Sequence, residues 1–242
     1  MKARAYLAPL VPRLATLAWA FLAFVVGQVA ALAALFAWAH GDLRALVAQP
    51  YDGAVVTLSV LVLDPVTVAV LVLAVCVRGA GVAEYLGLVW PRMPALSIGI
   101  VGIVAIIALT DALLFVSGQA IVSPFQLISY TTAAREGWLP LMWLATVIVA
   151  PAGEEIMFRG FLFRGWVSSR RSAWIAVPLI SLLWTGLHVQ YDWAGMLEIF
   201  VAGLFLGWVR WSSGSTLLTF GLHALLNLEG MLETLVQVRH VL

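Results

Sequence analysis

The chain has 242 residues, of which 63% are hydrophobic and only 10% are charged, and its formal net charge is +1. A soluble domain of this size has roughly a quarter of its residues charged, so the composition excludes a water-soluble globular protein. The small net charge and the scattered Lys and Arg residues argue against nucleic-acid binding, and we expect no nucleic-acid partner. The chain, residues 1–242, is therefore predicted to form one all-α transmembrane domain within the lipid bilayer.

Seven apolar segments follow one another along the chain, each long enough or nearly long enough to cross a bilayer as a helix. The segment between the third and the fourth, residues 119–137, is polar and contains Pro124, Arg135 and Glu136. We expect it to lie at the membrane interface; the bundle has eight spans if it crosses instead. The seven predicted spans are residues 14–39, 54–77, 95–116, 139–163, 174–187, 193–211 and 216–236.

The second span contains Asp64 followed by Pro65 at its middle. Proline removes a helical hydrogen bond, so we expect this helix to be kinked or broken, with Asp64 capping the half-helix that follows. Discontinuous helices of this kind occur in secondary transporters. The N-terminal helices, residues 1–117, otherwise carry no feature that assigns them a role.

The distribution of Lys and Arg predicts how the bundle sits in the membrane, because cytoplasmic loops hold more of these residues. With the N-terminus inside, only Arg44, Arg135 and Arg239 fall on the outer side. We therefore predict a multi-pass protein of the plasma membrane, in bacteria the inner membrane, with a cytoplasmic N-terminus. The residues then on the inner side are Lys2, Arg4, Arg13, Arg78, Arg92, Arg159, Arg164, Arg170, Arg171 and Arg210.

Ionisable side chains inside the spans concentrate in the C-terminal half, and such residues are functional candidates because they are costly in lipid. Glu155 and Arg159 in the fourth span are four residues apart, a spacing that favours an ion pair on one helix face. Glu154 points about 100° away from Glu155. We interpret Glu155 with Arg159 as a structural pair and Glu154 as the reactive carboxylate.

His188 lies at the end of the fifth span, before a polar turn. If the fourth and fifth spans form a hairpin that turns near Ser169 and Arg170, Glu154 and His188 differ in depth by only ~5 Å. Contact between them is then expected. The alternative is that His188 is an interfacial histidine without a catalytic role.

His223 and Asn227 share one face of the seventh span because they are four residues apart. They fit either a polar contact between helices or a catalytic role. Counting from the preceding turn places His223 roughly 10 Å shallower than His188, a mismatch that the sequence does not resolve.

One carboxylate, two imidazoles and an amide suit hydrolysis of a carbonyl compound. A shielded glutamate with a histidine can activate water, and an imidazole and an amide can donate hydrogen bonds to the oxyanion. The rival account is a catalytic zinc bound by Glu154, His188 and His223. The His-Glu-x-x-His spacing of zinc proteases is missing.

At these residues the sequence resembles the CPBP family of intramembrane endopeptidases, which process CAAX proteins and bacteriocins and are also called the ABI family. The family pattern is Glu-Glu-x-x-x-Arg, then Phe-x-x-x-His, then His-x-x-x-Asn, and all three motifs occur in that order within residues 139–236. Trp184 stands in place of the phenylalanine, where an aromatic packing role survives.

The resemblance implies that residues 139–236 form the catalytic core of an all-helical bundle. It implies that Glu154 and His188 activate water, while His223 and Asn227 stabilise the oxyanion. The substrate is then a protein or peptide in or at the membrane, with CAAX-type prenylated proteins as one option. Family members are commonly labelled metalloproteases, and the resemblance leaves open whether a divalent metal such as zinc or a metal-free glutamate mechanism operates.

Two other functions fit parts of the sequence. A small transporter would also bury acidic residues such as Asp64, Asp111 and Glu198, but the chain shows no two related halves. A non-catalytic membrane scaffold or immunity protein would need Glu155 and Arg159 only to hold helices together. We assign no role to Asp64, Asp111 or Glu198 from the sequence.

Overall fold

A computed structural model describes residues 10–241 and shows helices without strands over this range. The all-α fold class is confirmed. Lys2 and Arg4, which the orientation prediction uses, lie outside the described residues. The helices are α1 (Leu10–Trp38), α2 (Leu43–Ala48), α3 (Gly53–Val77), α4 (Val82–Leu86), α5 (Met93–Ser117), α6 (Pro124–Glu136), α7 (Leu139–Trp166), α8 (Arg170–Thr185), α9 (Trp193–Ser213) and α10 (Thr216–Val241).

Five of these helices, α1, α3, α5, α7 and α9, are long and apolar enough to cross a membrane. The other two predicted spans are also helical, but α8 has only 16 residues and α10 carries several polar side chains in its apolar sequence. Helix α6 has 13 residues, about 20 Å of helix, which is shorter than the hydrocarbon core of roughly 30 Å. By its length, α6 is therefore not a candidate for an eighth crossing.

A kink or a break was predicted at Asp64 and Pro65, and the break is wrong, because α3 continues through Pro65 as one helix. Close packing against α1 holds this part of α3. A Cβ atom added to Gly27 of α1 would lie 2.8 Å from the carbonyl oxygen of Leu63 and even closer to the hydroxyl of Thr67. Asp64 is buried against α7 and does not cap a half-helix.

The two ends of the bundle are marked by contacts between helices that are far apart in the chain. At one end, where α1 begins and α7 ends, the indole N–H of Trp166 donates to the carbonyl of Arg13 at 3.2 Å. At the other end, the N–H of Gly53 donates to the hydroxyl of Thr132 at 2.6 Å. We call the first the arginine end, since the helix termini that meet there carry Arg13, Arg78, Arg92, Arg164, Arg170, Arg171 and Arg210, and the second the opposite end.

The main core lies between α7, which contains Glu154 and Glu155, and the helices around it. It is built from large apolar side chains of several helices. Helices α1 and α3 pack along each other and α3 also packs on α7, while α8, α9 and α10 cover the remaining sides of α7. The N-terminal helices thus hold the C-terminal ones in place. The largest fully buried apolar side chains are Trp184, Phe158, Phe161, Leu71, Leu86, Ile103, Leu162, Leu206 and Leu222.

Candidate active site

Glu154 and Glu155 lie in the middle of α7, in a short α-helical stretch between two π-helical ones. The π-helical stretches are Ala145–Val149 and Ile156–Leu162. Stretches of π-helix are rare in proteins, and many of those that occur lie at functional sites. Pro151 supplies a cause for the first, since it has no N–H to continue the α-helical hydrogen bonds.

The structure brings Glu154 and His188 together, with 4.0 Å between the Oε2 of Glu154 and the Nε2 of His188. The side chain of Glu154 is 23% exposed and that of His188 is 17% exposed, whereas most of their neighbours are buried. Both groups are thus reachable from outside the helical core. A hairpin of α7 and α8 turning at residues 167–169 accounts for their similar depth.

The orientation of His188 is fixed through its other ring nitrogen. Its Nδ1 lies 2.9 Å from the carbonyl oxygen of Trp184, one helical turn earlier. A carbonyl only accepts hydrogen bonds, so Nδ1 carries the hydrogen and the Nε2 that faces Glu154 is the basic nitrogen of the neutral ring. The rings of Trp184 and His188 also meet edge to face, with centroids 5.3 Å apart.

Glu155 belongs to a separate, fully buried ion cluster. Its Oε1 lies 2.8 Å from Nη1 of Arg159 and 3.0 Å from Nδ1 of His223, and the exposed fractions of Glu155 and Arg159 are 0% and 1%. The guanidinium of Arg159 also lies over the ring of Trp184, 4.3 Å from its centroid. His223 is therefore paired with Glu155, a contact that the motif spacing did not predict.

Asn227 holds α10 against the first π-helical stretch of α7. Its amide nitrogen donates to the carbonyl of Thr146 at 2.8 Å. No backbone N–H of α7 is free to donate to this carbonyl. The N–H of Ala150 donates to the carbonyl of Ala145, and the next residue, Pro151, has no N–H. A side chain from another helix thus satisfies a backbone group that proline leaves unpaired.

Trp184 contacts both the Glu154–His188 pair and the buried ion cluster, and its role in the site was the hardest to predict from the sequence. Its indole N–H donates to Oε2 of Glu154, and its ring lies between His188 and His223, with the His223 centroid 5.0 Å away. A phenylalanine, as in the family pattern, has no such donor. Trp184 is thus a polar contact of Glu154 as well as a packing residue.

Asp64 of α3 lies directly against α7. A Cβ atom added to Gly153 would overlap the Oδ1 of Asp64, so only glycine allows this approach one residue before Glu154. The sequence did mark Asp64 as unusual, because a carboxylate within a span is costly unless its surroundings are polar. No motif spacing indicated that Asp64 contacts α7.

The turn after His188 packs on the start of α6. The ring of Tyr191 lies 6.3 Å from that of His188 and 5.6 Å from that of Phe125 at the start of α6. Burial raises the pKa of the Tyr191 hydroxyl, and the nearby carboxylates of Glu154 and Glu198 raise this pKa further. Tyr191 therefore stays a neutral phenol beside Glu154.

The candidate zinc ligands do not converge on one point. Glu154 and His188 face each other, but His223 turns Nδ1 towards Glu155, and these three residues do not bring their ligand atoms within 4.8 Å of one another. Within residues 10–241 one group of side chains does bring its ligand atoms this close together, namely the half-buried Asp111, Glu229 and Glu233. Acidic clusters are common in proteins without a metal. The arrangement of Glu154, His188 and His223 thus does not fit a three-ligand zinc site.

Residues 136–228 match the family model described as type II CAAX prenyl endopeptidase Rce1-like. The resemblance to CPBP-type intramembrane proteases is confirmed. This CPBP-type segment is less than half of the chain, and it runs from the end of α6 into α10. It contains all six residues that the motifs singled out, and it supports intramembrane endopeptidase activity in general. Neither the curated proteins nor the solved structures contain a match to the chain.

Proposed function

We propose that the protein is an intramembrane endopeptidase in which Glu154 and His188 activate water for hydrolysis of a peptide bond in a membrane-associated protein. The observation that carries this proposal is the contact of the two side chains at 4.0 Å, at a partly exposed place in an otherwise buried layer. The CPBP-type match of residues 136–228 supports the same activity class.

The distance between Glu154 and His188 suits one bridging water. At 4.0 Å the two atoms are too far apart for a direct hydrogen bond, but a single water can bond to both. In the proposed reaction the carboxylate of Glu154 takes a proton from this water while its oxygen attacks the peptide carbonyl carbon. The same proton is then returned to the leaving amine as the carbon–nitrogen bond breaks, with His188 orienting the water and sharing the proton.

His223 and Asn227 are proposed to stabilise the oxyanion. Glu155, ionised beside Arg159, offers only acceptors, so Nδ1 of His223 donates to it and Nε2 donates to an oxyanion when the ring is protonated. The amide of Asn227 has two hydrogens, and the contact with Thr146 uses one of them. The second hydrogen is the one proposed to face the substrate.

A metal-free glutamate mechanism agrees better with this geometry than a zinc mechanism, because His223 is paired with Glu155 while Glu154 and His188 face each other. Incubation of the purified protein with a strong chelator distinguishes the two. The metal-free mechanism predicts unchanged cleavage, and loss of cleavage that added zinc restores would contradict it.

Substrate discovery tests the proposed function itself. Membranes containing the active protein are compared with membranes containing Glu154→Gln by mass spectrometry of protein N-termini. We expect a set of internal N-termini that Glu154→Gln abolishes, with the uncut precursors accumulating. The control is Glu136→Gln at the exposed end of α6, which should behave as the unmodified protein.

A scaffold or immunity function predicts a different result in the same experiment. The buried cluster of Glu155, Arg159 and His223 holds α7 to α10 whether or not water is activated nearby. A scaffold therefore keeps its effect in Glu154→Gln, and no N-termini differ between the two membranes. The continuous α3 removes the broken helix on which the transporter alternative relied.

A further inference from the structure

A groove lies between α1 and α8 at the arginine end of the bundle, away from Glu154 and His188. Its volume is about 470 Å³, and binding sites for small molecules in proteins measure roughly 300–1,000 Å³. The end of α7 contributes Trp166 to the lining, and both α1 and α8 pack on this part of α7. The groove is therefore large enough for a ligand and has walls from three helices.

The spacing of these walls is set by direct contacts between α1 and α7. The indole N–H of Trp166 donates to the carbonyl of Arg13 at 3.2 Å. One residue earlier, a Cβ atom added to Gly165 would overlap the hydroxyl of Thr16 in α1. Helix α8 begins only a few residues after α7 ends, so its first turns are held beside the same contacts. The groove is thus part of the packed fold.

The polar and apolar parts of the lining lie at different depths. Both α1 and α8 begin at the arginine end, so later residues of each helix lie further from that end. Leu17 lies about 6 Å deeper than Arg13, and Leu179 about 12 Å deeper than Arg171, at 1.5 Å of rise per residue. The two arginines therefore share the mouth of the groove. The apolar residues that continue from it are Leu14, Leu17, Ile175, Ala176 and Leu179.

The charge at the mouth of the groove is not neutralised by the protein. No acidic residue lines the groove, and within residues 10–241 neither Arg13 nor Arg171 forms an ion pair. The hydroxyls of Ser169 and Ser172, which also line it, bond to each other and to the first turn of α8. The guanidinium groups thus remain as donors, and their planar forks match the oxygens of a phosphate.

We propose that this groove binds one anionic glycerophospholipid, with its phosphate at Arg13 and Arg171 and one acyl chain along the apolar wall. Only an amphiphile places an anion and a hydrocarbon chain in these two adjoining parts. Basic pockets between membrane helices are known to bind lipid head groups in this way. The bound lipid would connect α1 with α8, the helix that leads to His188. The proposal depends neither on the proposed peptidase activity nor on which side of the membrane the arginine end faces.

Native mass spectrometry of the purified full-length protein tests the lipid site. Phosphatidylglycerol and phosphatidylcholine with the same two oleoyl chains are added separately to the protein in detergent. We expect one phosphatidylglycerol to be retained per protein, and phosphatidylcholine to bind at least about tenfold more weakly because its head group has no net negative charge. The thermal midpoint should rise with the concentration of phosphatidylglycerol. Equal retention of the two lipids would overturn the proposal.

Two neighbouring arginines provide a matched pair of variants. Arg171 lines the groove, whereas the adjacent Arg170 does not. Arg171→Gln should weaken binding of phosphatidylglycerol about tenfold, and Arg170→Gln should leave it unchanged although the net charge falls equally. Equal losses in the two variants would mean a general attraction of anionic lipid to the arginine end and would contradict a built site.

A second pair of variants tests the apolar part of the groove. Ile175→Trp fills it, whereas Leu182→Trp adds the same side chain at a similarly exposed position of α8 outside it; the exposed fractions are 60% and 54%. Only Ile175→Trp should abolish retention of phosphatidylglycerol. Soluble glycerol phosphate, a head group without chains, should not raise the thermal midpoint. Full retention in Ile175→Trp, or equal stabilisation by glycerol phosphate, would show that no acyl chain occupies the groove.

Discussion

At the scale of single residues, the site consists of one pair and one cluster of three residues, and both contact the same aromatic ring. Glu154 faces His188, Glu155 faces Arg159 and His223, and Trp184 contacts members of both groups. Counting residues from the α7–α8 turn was enough to expect the first pair. It was not enough for His223, because the depth at which α10 starts depends on tertiary contacts of Thr216 with the chain at Leu86 and Gly87.

Replacing Trp184 by phenylalanine removes the indole donor and keeps an aromatic ring beside both histidines. Because the donor fixes the orientation of Oε2 of Glu154, we expect kcat to fall about tenfold while KM stays unchanged. The control is Trp174→Phe on the exposed face of the same helix. Enzyme kinetics on a substrate from the N-terminal comparison measures this, and unchanged kcat in Trp184→Phe would refute the positioning role.

A spectroscopic measurement reports on the same hydrogen bond without turnover. With ¹⁵N-labelled indoles, the Trp184 signal is the one absent from Trp184→Phe. It should shift in Glu154→Gln, where a neutral amide replaces the carboxylate. A signal that does not move would mean that the indole has another acceptor.

Replacing Arg159 by alanine should reduce the amount of folded protein strongly. Glu155 is fully buried, and without the guanidinium its charge loses its main partner, a change that costs about 3–5 kcal/mol. Yield after size-exclusion chromatography and the thermal midpoint measure the effect. Arg164→Ala, an exposed arginine of the same helix, is the control and should lose little; equal stability of both variants would contradict the assignment.

At the scale of helices, the positions of the seven apolar helices follow from the sequence, but their internal geometry does not. The length of an uncharged segment predicts a helix, and all seven predicted segments are helical. Whether a proline breaks a helix depends on its neighbours. Pro65 lies in α3, which packs on α1 and stays continuous. Pro151, in contrast, follows a π-helical stretch, and there the free carbonyl of Thr146 accepts a hydrogen bond from Asn227.

A substitution at Gly153 tests the contact between α3 and α7. In Gly153→Ala the new Cβ meets the carboxylate of Asp64, so α3 has to move and we expect a loss of about 1–3 kcal/mol in stability. Gly221→Ala in α10 is the matched control, because nothing lies within 4 Å of its added Cβ. Thermal unfolding in detergent compares the two. Similar midpoints would show that α3 does not approach α7 this closely.

At the scale of the whole molecule, composition alone predicted an all-α membrane bundle, because so few charges cannot cover a water-exposed surface. No role for residues 1–117 follows from the sequence, since the family motifs all lie after them. Packing supplies one: α1 supports α3, and α3 lies against α7 beside Glu154. The N-terminal helices are thus expected to be part of the functional unit.

Separating the two parts of the chain tests this expectation. Residues 118–242 alone should give little folded protein, because the face of α7 that α3 covers would be exposed together with Gly153. Co-expression with residues 1–117 should restore folding and activity. Stable, active protein from residues 118–242 alone would show that the N-terminal helices are dispensable.

The central claim is that Glu154 and His188 act together on one water molecule. The most direct measurement is the cleavage rate of the purified protein in liposomes for Glu154→Gln, His188→Gln and the double variant, on one substrate. We predict that each single change lowers kcat by about 10² to 10⁴-fold and that the double variant is no slower than the slower single one. Multiplying effects in the double variant, or substantial cleavage by Glu154→Gln, would contradict the account.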